Sequence, residues 1–120
     1  MQRQRAEVRV ETRRKVSFGQ SISEARKRKN LSQRQLAARV TKEDGRPISP
    51  QYLNDFERDR RVPSSDRIIE QLAEALGISE YVLYHRAGGV PKDLRDTEAD
   101  DETVVEAWTA FRRMLRRGAG

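Results

Sequence analysis

The stretch LSQRQLAARVTKEDGRPISPQYLNDFE, residues 31–57, decides the fold of this chain. Ser32 and Gln35 match a capping box, in which the serine side chain accepts from a first-turn amide and the glutamine reaches back to the cap. Ser49 followed by Pro50 predicts a second helix start, because proline suits the first helical position. The inward apolar positions of the two helices are Leu36, Ala37, Val40, Leu53 and Phe56. The stretch therefore predicts two short helices joined by a turn.

Three further helices are predicted around this pair. Their ranges are about 18–30, 65–77 and 79–87. Asn30 suits a left-handed cap at the end of the first, Ser64 or Ser65 caps the second, and glycine follows the last two. Residues 41–47 contain Asp44-Gly45 and end in proline, which predicts a loop. We therefore expect an all-α domain of five helices over residues 18–89.

The two ends of the chain differ from this domain. Residues 1–17 are polar and basic and fit either a short edge strand or a basic N-terminal arm. Such an arm would be either a disordered tail or a segment that binds DNA in the minor groove or along the backbone. Residues 90–120 are predicted to be a linker followed by a C-terminal amphipathic helix from about Asp101 to Arg117, with acidic residues at its start and arginines at its end. An apolar seam runs along that helix through Val104, Trp108, Phe111 and Leu115.

Composition narrows the possible functions. Residues 1–62 carry 17 Lys/Arg against 8 Asp/Glu, whereas residues 63–120 carry 8 against 11, so the first half is the one expected to face a polyanion. The chain has no cysteine and one histidine, His85, so we expect no disulfide, no metal site and no cofactor. No apolar run approaches the ~20 residues that span a membrane, and we expect a cytoplasmic protein. No catalytic constellation stands out, so we do not expect an enzyme.

The second helix of residues 31–57 carries side chains suited to reading DNA. Glutamine pairs with adenine, aspartate accepts from the cytosine amino group, and arginine binds guanine or phosphate. In a helix-turn-helix, such a helix lies in the major groove while the first crosses the backbone. The outward residues of this helix, and so the candidates for contact with DNA, are Gln51, Tyr52, Asn54, Asp55 and Arg58. The expected phosphate contacts are Gln33, Ser49, Asn54, Arg58, Arg60 and Arg61.

Residues 18–87 resemble the phage-repressor and Cro-like helix-turn-helix family, also called the xenobiotic-response-element type. The resemblance rests on Arg26, Leu31-Ser32-Gln33, Leu36-Ala37, Ile48-Ser49, Leu53, Phe56-Glu57, Pro63 and residues 72–78. It implies a lambda-repressor-like DNA-binding domain in which Arg26 pairs with Glu57, Gln33 clamps a phosphate, and Gln51, Tyr52 and Asp55 face base edges. Without the resemblance, Arg26 and Glu57 would be read as ordinary surface charges.

The chain departs from the family pattern in two places. Residues 41–47 replace a tight turn, which could tilt the recognition helix or add Lys42 and Arg46 to the backbone contacts. Pro50 stands where the family often has a polar base reader, and it offers only apolar contact.

The sequence thus predicts a sequence-specific DNA-binding regulator, a homodimeric repressor acting by operator occupancy. The apolar seam of the C-terminal helix would either fold back or pair with a second copy, and pairing is favoured because two-fold symmetric regulators bind two half-sites. The alternative is an antitoxin-type protein that binds DNA and holds a protein partner through its C-terminal region.

Overall fold

The computed structural model describes residues 15–119, so most of the predicted N-terminal arm lies outside the described residues. The described part is helical, as predicted, and its residues fall into two units, Val16–Arg95 and the segment from Asp96 onward. The helices are α1 (Phe18–Arg28), α2 (Gln33–Ala37), α3 (Pro50–Glu57), α4 (Asp66–Leu76), α5 (Glu80–Arg86), α6 (Lys92–Arg95) and α7 (Asp101–Ala119). The five helices predicted for residues 18–89 are therefore present as α1 to α5, and α6 is an additional short turn.

Local hydrogen bonds explain where the helices begin. Capping boxes start both α1, with Ser17 and Gln20, and α2, with Ser32 and Gln35. The Ser49 hydroxyl accepts from the backbone N–H of Tyr52 at 3.0 Å to start α3. Each start thus satisfies backbone N–H groups that have no partner within the helix.

Left-handed residues explain where two helices end. Asn30 has φ 58° after α1, the conformation predicted for it, and Gly77 has φ 69° at the end of α4. These positions turn the chain sharply without lengthening the connections.

One hydrophobic core joins α1 to α5. Phe56 lies at its centre, fully buried, with its ring 6.3 Å from that of Phe18 in an edge-on contact. Gly19 lets α1 approach the end of α3, because a Cβ there would lie 2.4 Å from the Glu57 carbonyl oxygen and 2.5 Å from that of Phe56. The other fully buried large side chains are Ile22, Leu36, Val40, Leu53, Leu72 and Leu83.

Polar contacts hold the outer helices to this core. The Arg86 Nη1 donates to the Ser21 hydroxyl at 2.7 Å, which joins α5 to α1. Arg95, in α6, donates to both carboxylate oxygens of Asp66 at the start of α4, at 3.1 and 2.7 Å. The compact unit therefore extends through α6 to Arg95, beyond the boundary at residue 89 expected from the sequence.

Helix α7 occupies the range expected of the C-terminal helix, and every residue from Asp101 to Ala119 is exposed. The rings of Trp108 and Phe111 make an edge-on contact with centroids 5.5 Å apart. In the part of the chain that the structure describes, no helix has the length and apolar character needed to cross a membrane.

Candidate nucleic-acid interface

A buried ion pair fixes the position of α3. Arg26 Nε donates to Glu57 Oε2 at 2.7 Å and Arg26 Nη2 donates to Glu57 Oε1 at 3.0 Å, the bidentate geometry that arginine and carboxylate favour. Only 12% of the Arg26 side chain and 6% of the Glu57 side chain are exposed. Arg26 Nη1 also donates to the Leu31 carbonyl at 2.9 Å, so one guanidinium joins α1, α3 and the start of α2. These are the two residues that the family resemblance pairs.

The same pair extends to Gln33 at the start of α2. The Gln33 amide nitrogen donates to Glu57 Oε1 at 3.0 Å and to Asn54 Oδ1 at 3.1 Å. Both hydrogens of that amide are thereby used inside the protein. A phosphate contact through the Gln33 side chain therefore requires one of these two bonds to break. The network sets the angle between α2 and α3.

The exposed face of α3 begins with Gln51. Its amide nitrogen donates to Asp55 Oδ1 at 3.2 Å, one helical turn later, and that carboxylate lies 3.8 Å from Arg60 Nη1. This bond uses one N–H of the Gln51 amide, so its carbonyl oxygen and its second N–H are left for an outside partner. Asp55 is placed to orient Gln51 and Arg60.

Tyr52 is half-buried beside this face. Its ring makes an edge-on contact with Phe56 at 4.9 Å, and the Arg61 guanidinium carbon lies 4.6 Å from the ring centroid. A cation over an aromatic face is favourable and restricts both side chains. The structure thus places Tyr52 where it holds Arg61 next to α3.

The segment after α3 is short and basic. Asp59 has φ 59°, and its carboxylate accepts from the Ser17 hydroxyl at 2.6 Å and from the Gly19 backbone N–H at 2.8 Å. The negative charge of Asp59 therefore lies at the N-terminus of α1, where the helix dipole stabilises an anion. The neighbouring arginines, Arg58, Arg60 and Arg61, are all exposed.

The structure therefore brings the expected contact residues together at one end of the domain. The residues on or beside α2 and α3 are Gln33, Ser49, Gln51, Asn54 and Asp55. The arginines at positions 58, 60 and 61 lie in the segment directly after α3. Sequence reasoning missed Asp59 and Gly19. An available signal was that Asp59 follows the end of a predicted helix, where aspartate tolerates a left-handed conformation.

Metal chemistry has no visible support at this face. Among residues 15–119, no three histidine or carboxylate side chains lie close enough together to hold a metal ion. The side chains present suit hydrogen bonding and charge contact with a polyanion.

Comparisons with known proteins agree with this geometry. A helix-turn-helix family model matches residues 22–83. Regulators of the helix-turn-helix type from two strains of Mycobacterium tuberculosis are each 36% identical over 92 residues, which cover 73% of this chain and 61% of the relative. The multiprotein-bridging factor 1 of Candida albicans is 35% identical over 63 residues, covering 52% of this chain and 37% of that protein.

Among solved structures, a SinR protein/SinI protein complex aligns at a TM-score of 0.47 and 23% identity, over 84% of this chain and 93% of that chain. The chain spans less than two thirds of the length of the two mycobacterial relatives.

Proposed function

Because this chain belongs to the helix-turn-helix family, as its sequence predicted, we propose that it is a transcriptional regulator that represses by occupying a DNA operator. The observation that carries the proposal is the exposed face of α3. The amide of the exposed Gln51 is oriented there by a hydrogen bond to Asp55, and α3 itself is fixed by the Arg26–Glu57 pair. A rigid helix that presents a hydrogen-bonding side chain beside exposed arginines suits recognition of base edges flanked by phosphates.

The roles divide between base and backbone contacts. Gln51 reads a base pair directly, and Asp55 both orients it and accepts from a cytosine amino group. Tyr52 contributes the edge of its ring at the groove. Ser49, Gln33 and Asn54, together with Arg58, Arg60 and Arg61, contact phosphates and set the register.

The test is selection of duplexes from a random-sequence library, followed by binding titrations of the full chain. We expect enrichment of one sequence, and Gln51→Ala to cost about 1–3 kcal/mol and to relax specificity at one base pair. The matched control is Arg58→Ala, which should weaken all sequences alike. Arg58 is the better control because Arg60 contacts Asp55 and would disturb Gln51. Unchanged specificity in Gln51→Ala would remove it as a base reader, and no enrichment would remove the proposal.

We also propose that the protein is a cytoplasmic homodimer that pairs through α7. The seam of Val104, Trp108, Phe111 and Leu115 has spacings of four, three and four, which read the same in both directions. In an antiparallel pair, Val104 therefore faces Leu115 of a second copy and Trp108 faces Phe111. The helix starts with Asp101 and Glu102 and ends with Arg116 and Arg117, so an antiparallel arrangement also sets acidic ends against basic ends.

Light scattering of the full chain and of Trp108→Asp tests this pairing. We expect a dimer mass for the native chain and a monomer mass for the variant. The control Thr109→Asp places the same charge next to the seam and should stay dimeric. A native monomer would contradict self-pairing and favour a different protein partner at α7, as in the antitoxin-type alternative.

A further inference from the structure

Residues 41–47, between α2 and α3, form a turn that one isolated β-bridge closes, and this segment is called the hairpin below. Thr41 and Pro47 form an antiparallel bridge, and the Lys42 N–H donates to the Arg46 carbonyl at 2.8 Å. The Gly45 N–H donates to the Lys42 carbonyl at 2.9 Å, and Gly45 has φ 85°, a conformation that glycine adopts without strain. The Asp44 carboxylate accepts from the Arg46 N–H at 3.0 Å. The backbone of this insertion is therefore held by its own hydrogen bonds.

Residues of α4 fix the direction of the hairpin. The Gln71 amide nitrogen donates to the Thr41 carbonyl at 2.8 Å, and the Gln71 carbonyl accepts from the Thr41 N–H at 2.9 Å and from its hydroxyl at 3.1 Å. Arg67 Nη2 donates to the same hydroxyl at 2.9 Å. Since one glutamine satisfies both backbone groups of Thr41, the hairpin is docked on α4 at its base.

The hairpin stands next to the DNA-facing end of the domain. Two residues after the hairpin comes Ser49, the N-cap of α3. Near the tip of the hairpin, Glu43 accepts a hydrogen bond from the Ser65 hydroxyl at 3.1 Å. Ser65 ends the segment between α3 and α4 that contains Arg58, Arg60 and Arg61. Arg46 is 82% exposed, with its Nε 4.0 Å from an oxygen of the exposed Asp44 carboxylate, and Lys42, on the other side of the turn, is half-exposed. Both acidic residues of the tip already accept hydrogen bonds from the protein.

From this geometry we propose that the hairpin of residues 41–47 is a wing that contacts the phosphate backbone beside the groove occupied by α3. Lys42 and Arg46 supply the contacts, and Gln71 is the positioning residue that aims the wing. The inference rests on the proposed function, because it assumes that α3 enters the groove. Backbone contacts carry no sequence information, so the wing adds affinity for any duplex of the right shape.

The test measures the salt dependence of binding by the full chain. The probes are a duplex selected from the random library and a scrambled duplex of equal length. Each phosphate contact contributes about −0.9 to the slope of log affinity against log salt, so Lys42→Ala/Arg46→Ala should make the slope about 1.8 shallower per bound chain on both duplexes. The charge-preserving control Lys42→Arg/Arg46→Lys should retain the native slope.

Gln71→Ala tests the positioning role. We expect it to make the slope shallower while the charges of the wing remain, which a purely structural effect on folding would not do. Circular dichroism at the binding temperature establishes that each variant is folded, and the exposed Lys42 and Arg46 changes remain informative if Gln71→Ala does not fold.

Other outcomes separate the two proposals. If the native chain binds and selects a duplex but the double variant keeps its slope, the wing is wrong and the proposed function stands. A loss confined to the selected duplex would show that the hairpin reads bases, which also overturns the backbone contact. Failure of the native chain to prefer any duplex would remove the proposed function itself.

Discussion

The two segments that flank α3 are held to the domain in opposite ways. Before α3, a side chain from another helix holds the backbone of the segment: the neutral amide of Gln71 forms hydrogen bonds with the backbone of Thr41. After α3, the segment's own side chain makes the contact: the charged carboxylate of Asp59 accepts a hydrogen bond from the backbone N–H of Gly19 in α1. Both attachments are partly buried, but the second ends on Gly19, where only glycine permits the close approach of α1 to α3, and it directly follows the nearly buried Arg26–Glu57 pair.

The two attachments are expected to respond differently to substitution. Where the C-terminal end of α3 meets α1, a change of one atom disturbs packed backbone or leaves a nearly buried charge unpaired, and both are costly. On the side that precedes α3, the contacts are hydrogen bonds between partly exposed groups, which water can replace. We therefore expect substitutions where the C-terminal end of α3 meets α1 to act on folding, and substitutions in the hairpin to act mainly on binding.

The largest effect is expected for Glu57→Gln. The variant leaves the Arg26 guanidinium nearly buried without its carboxylate, and removal of one partner of a buried pair costs about 3–5 kcal/mol. Urea denaturation gives the change in the free energy of unfolding. Glu74→Gln, an exposed residue of α4, is the matched control and should stay within about 0.5 kcal/mol of the native chain. A loss below about 1 kcal/mol would class the pair with ordinary surface ion pairs.

Gly19→Ala should come next, at about 1–3 kcal/mol, since its Cβ would overlap the carbonyl oxygens of Phe56 and Glu57. Thermal unfolding followed by circular dichroism measures the loss. Gly118→Ala makes the same chemical change in α7, where a Cβ meets no atom within 4 Å. It should be neutral or slightly stabilising, because alanine favours a helix over glycine. Equal effects at the two positions would contradict the close approach of α1 to α3.

At Asp59, two substitutions separate the cap from the backbone conformation. Asp59→Gly removes the hydrogen bonds to α1 and should cost about 1 kcal/mol. Asp59→Ala loses the same bonds and adds the strain of a left-handed non-glycine residue, about 1 kcal/mol more. Both are read from urea denaturation. If alanine proved no worse than glycine, the left-handed conformation at this position would be contradicted.

The smallest effect is expected at Asp66, the first residue of α4, which follows α3 in the chain and lies in the same helix as the hairpin-binding Arg67 and Gln71. Hydrogen bonds from Arg95 and from the Tyr84 hydroxyl lower the pKa of Asp66 below 3.8. A lowered pKa stabilises the folded state above the pKa of the unfolded chain, and that contribution disappears as pH falls through the folded value. Asp66→Asn should therefore be less stable at pH 7, by no more than about 1 kcal/mol for so exposed a pair.

The measurement is the difference in unfolding free energy between Asp66→Asn and the native chain at pH 7 and at pH 3. The difference should shrink at pH 3, because the Asp66 carboxylate of the unfolded chain, with a pKa of about 3.8, is by then mostly protonated and its lowered folded-state pKa contributes less. A difference that stays constant between the two pH values would exclude the charge of Asp66 as its cause.

Local sequence patterns were sufficient to predict α1 to α5 and α7. The capping box at Ser32, the Ser49-Pro50 start and the left-handed Asn30 each involve neighbours within four positions. The pairing of Arg26 with Glu57 spans 31 positions, and it was reached through resemblance to a family.

The contacts that were missed join distant residues through ordinary polar side chains. Gln71 and Thr41 are 30 positions apart, and nothing in either residue type indicates a partner. The sequence predicted a loop over residues 41–47, and the structure has a turn there, but the bridge between Thr41 and Pro47 that closes it was not predicted. The base and phosphate roles of the exposed residues remain predictions.

The contact between Arg86 and Ser21 has a consequence for synthesis of the chain. These residues are 65 positions apart, and they join the first helix to α5. A nascent chain emerges at about 5–20 residues per second, so α5 follows α1 after roughly 3–13 s. During that time α1, with its apolar Phe18 and Ile22, lacks the packing of α5. The domain completes its packing only after α5 has emerged, and during that interval α1 is available to chaperones.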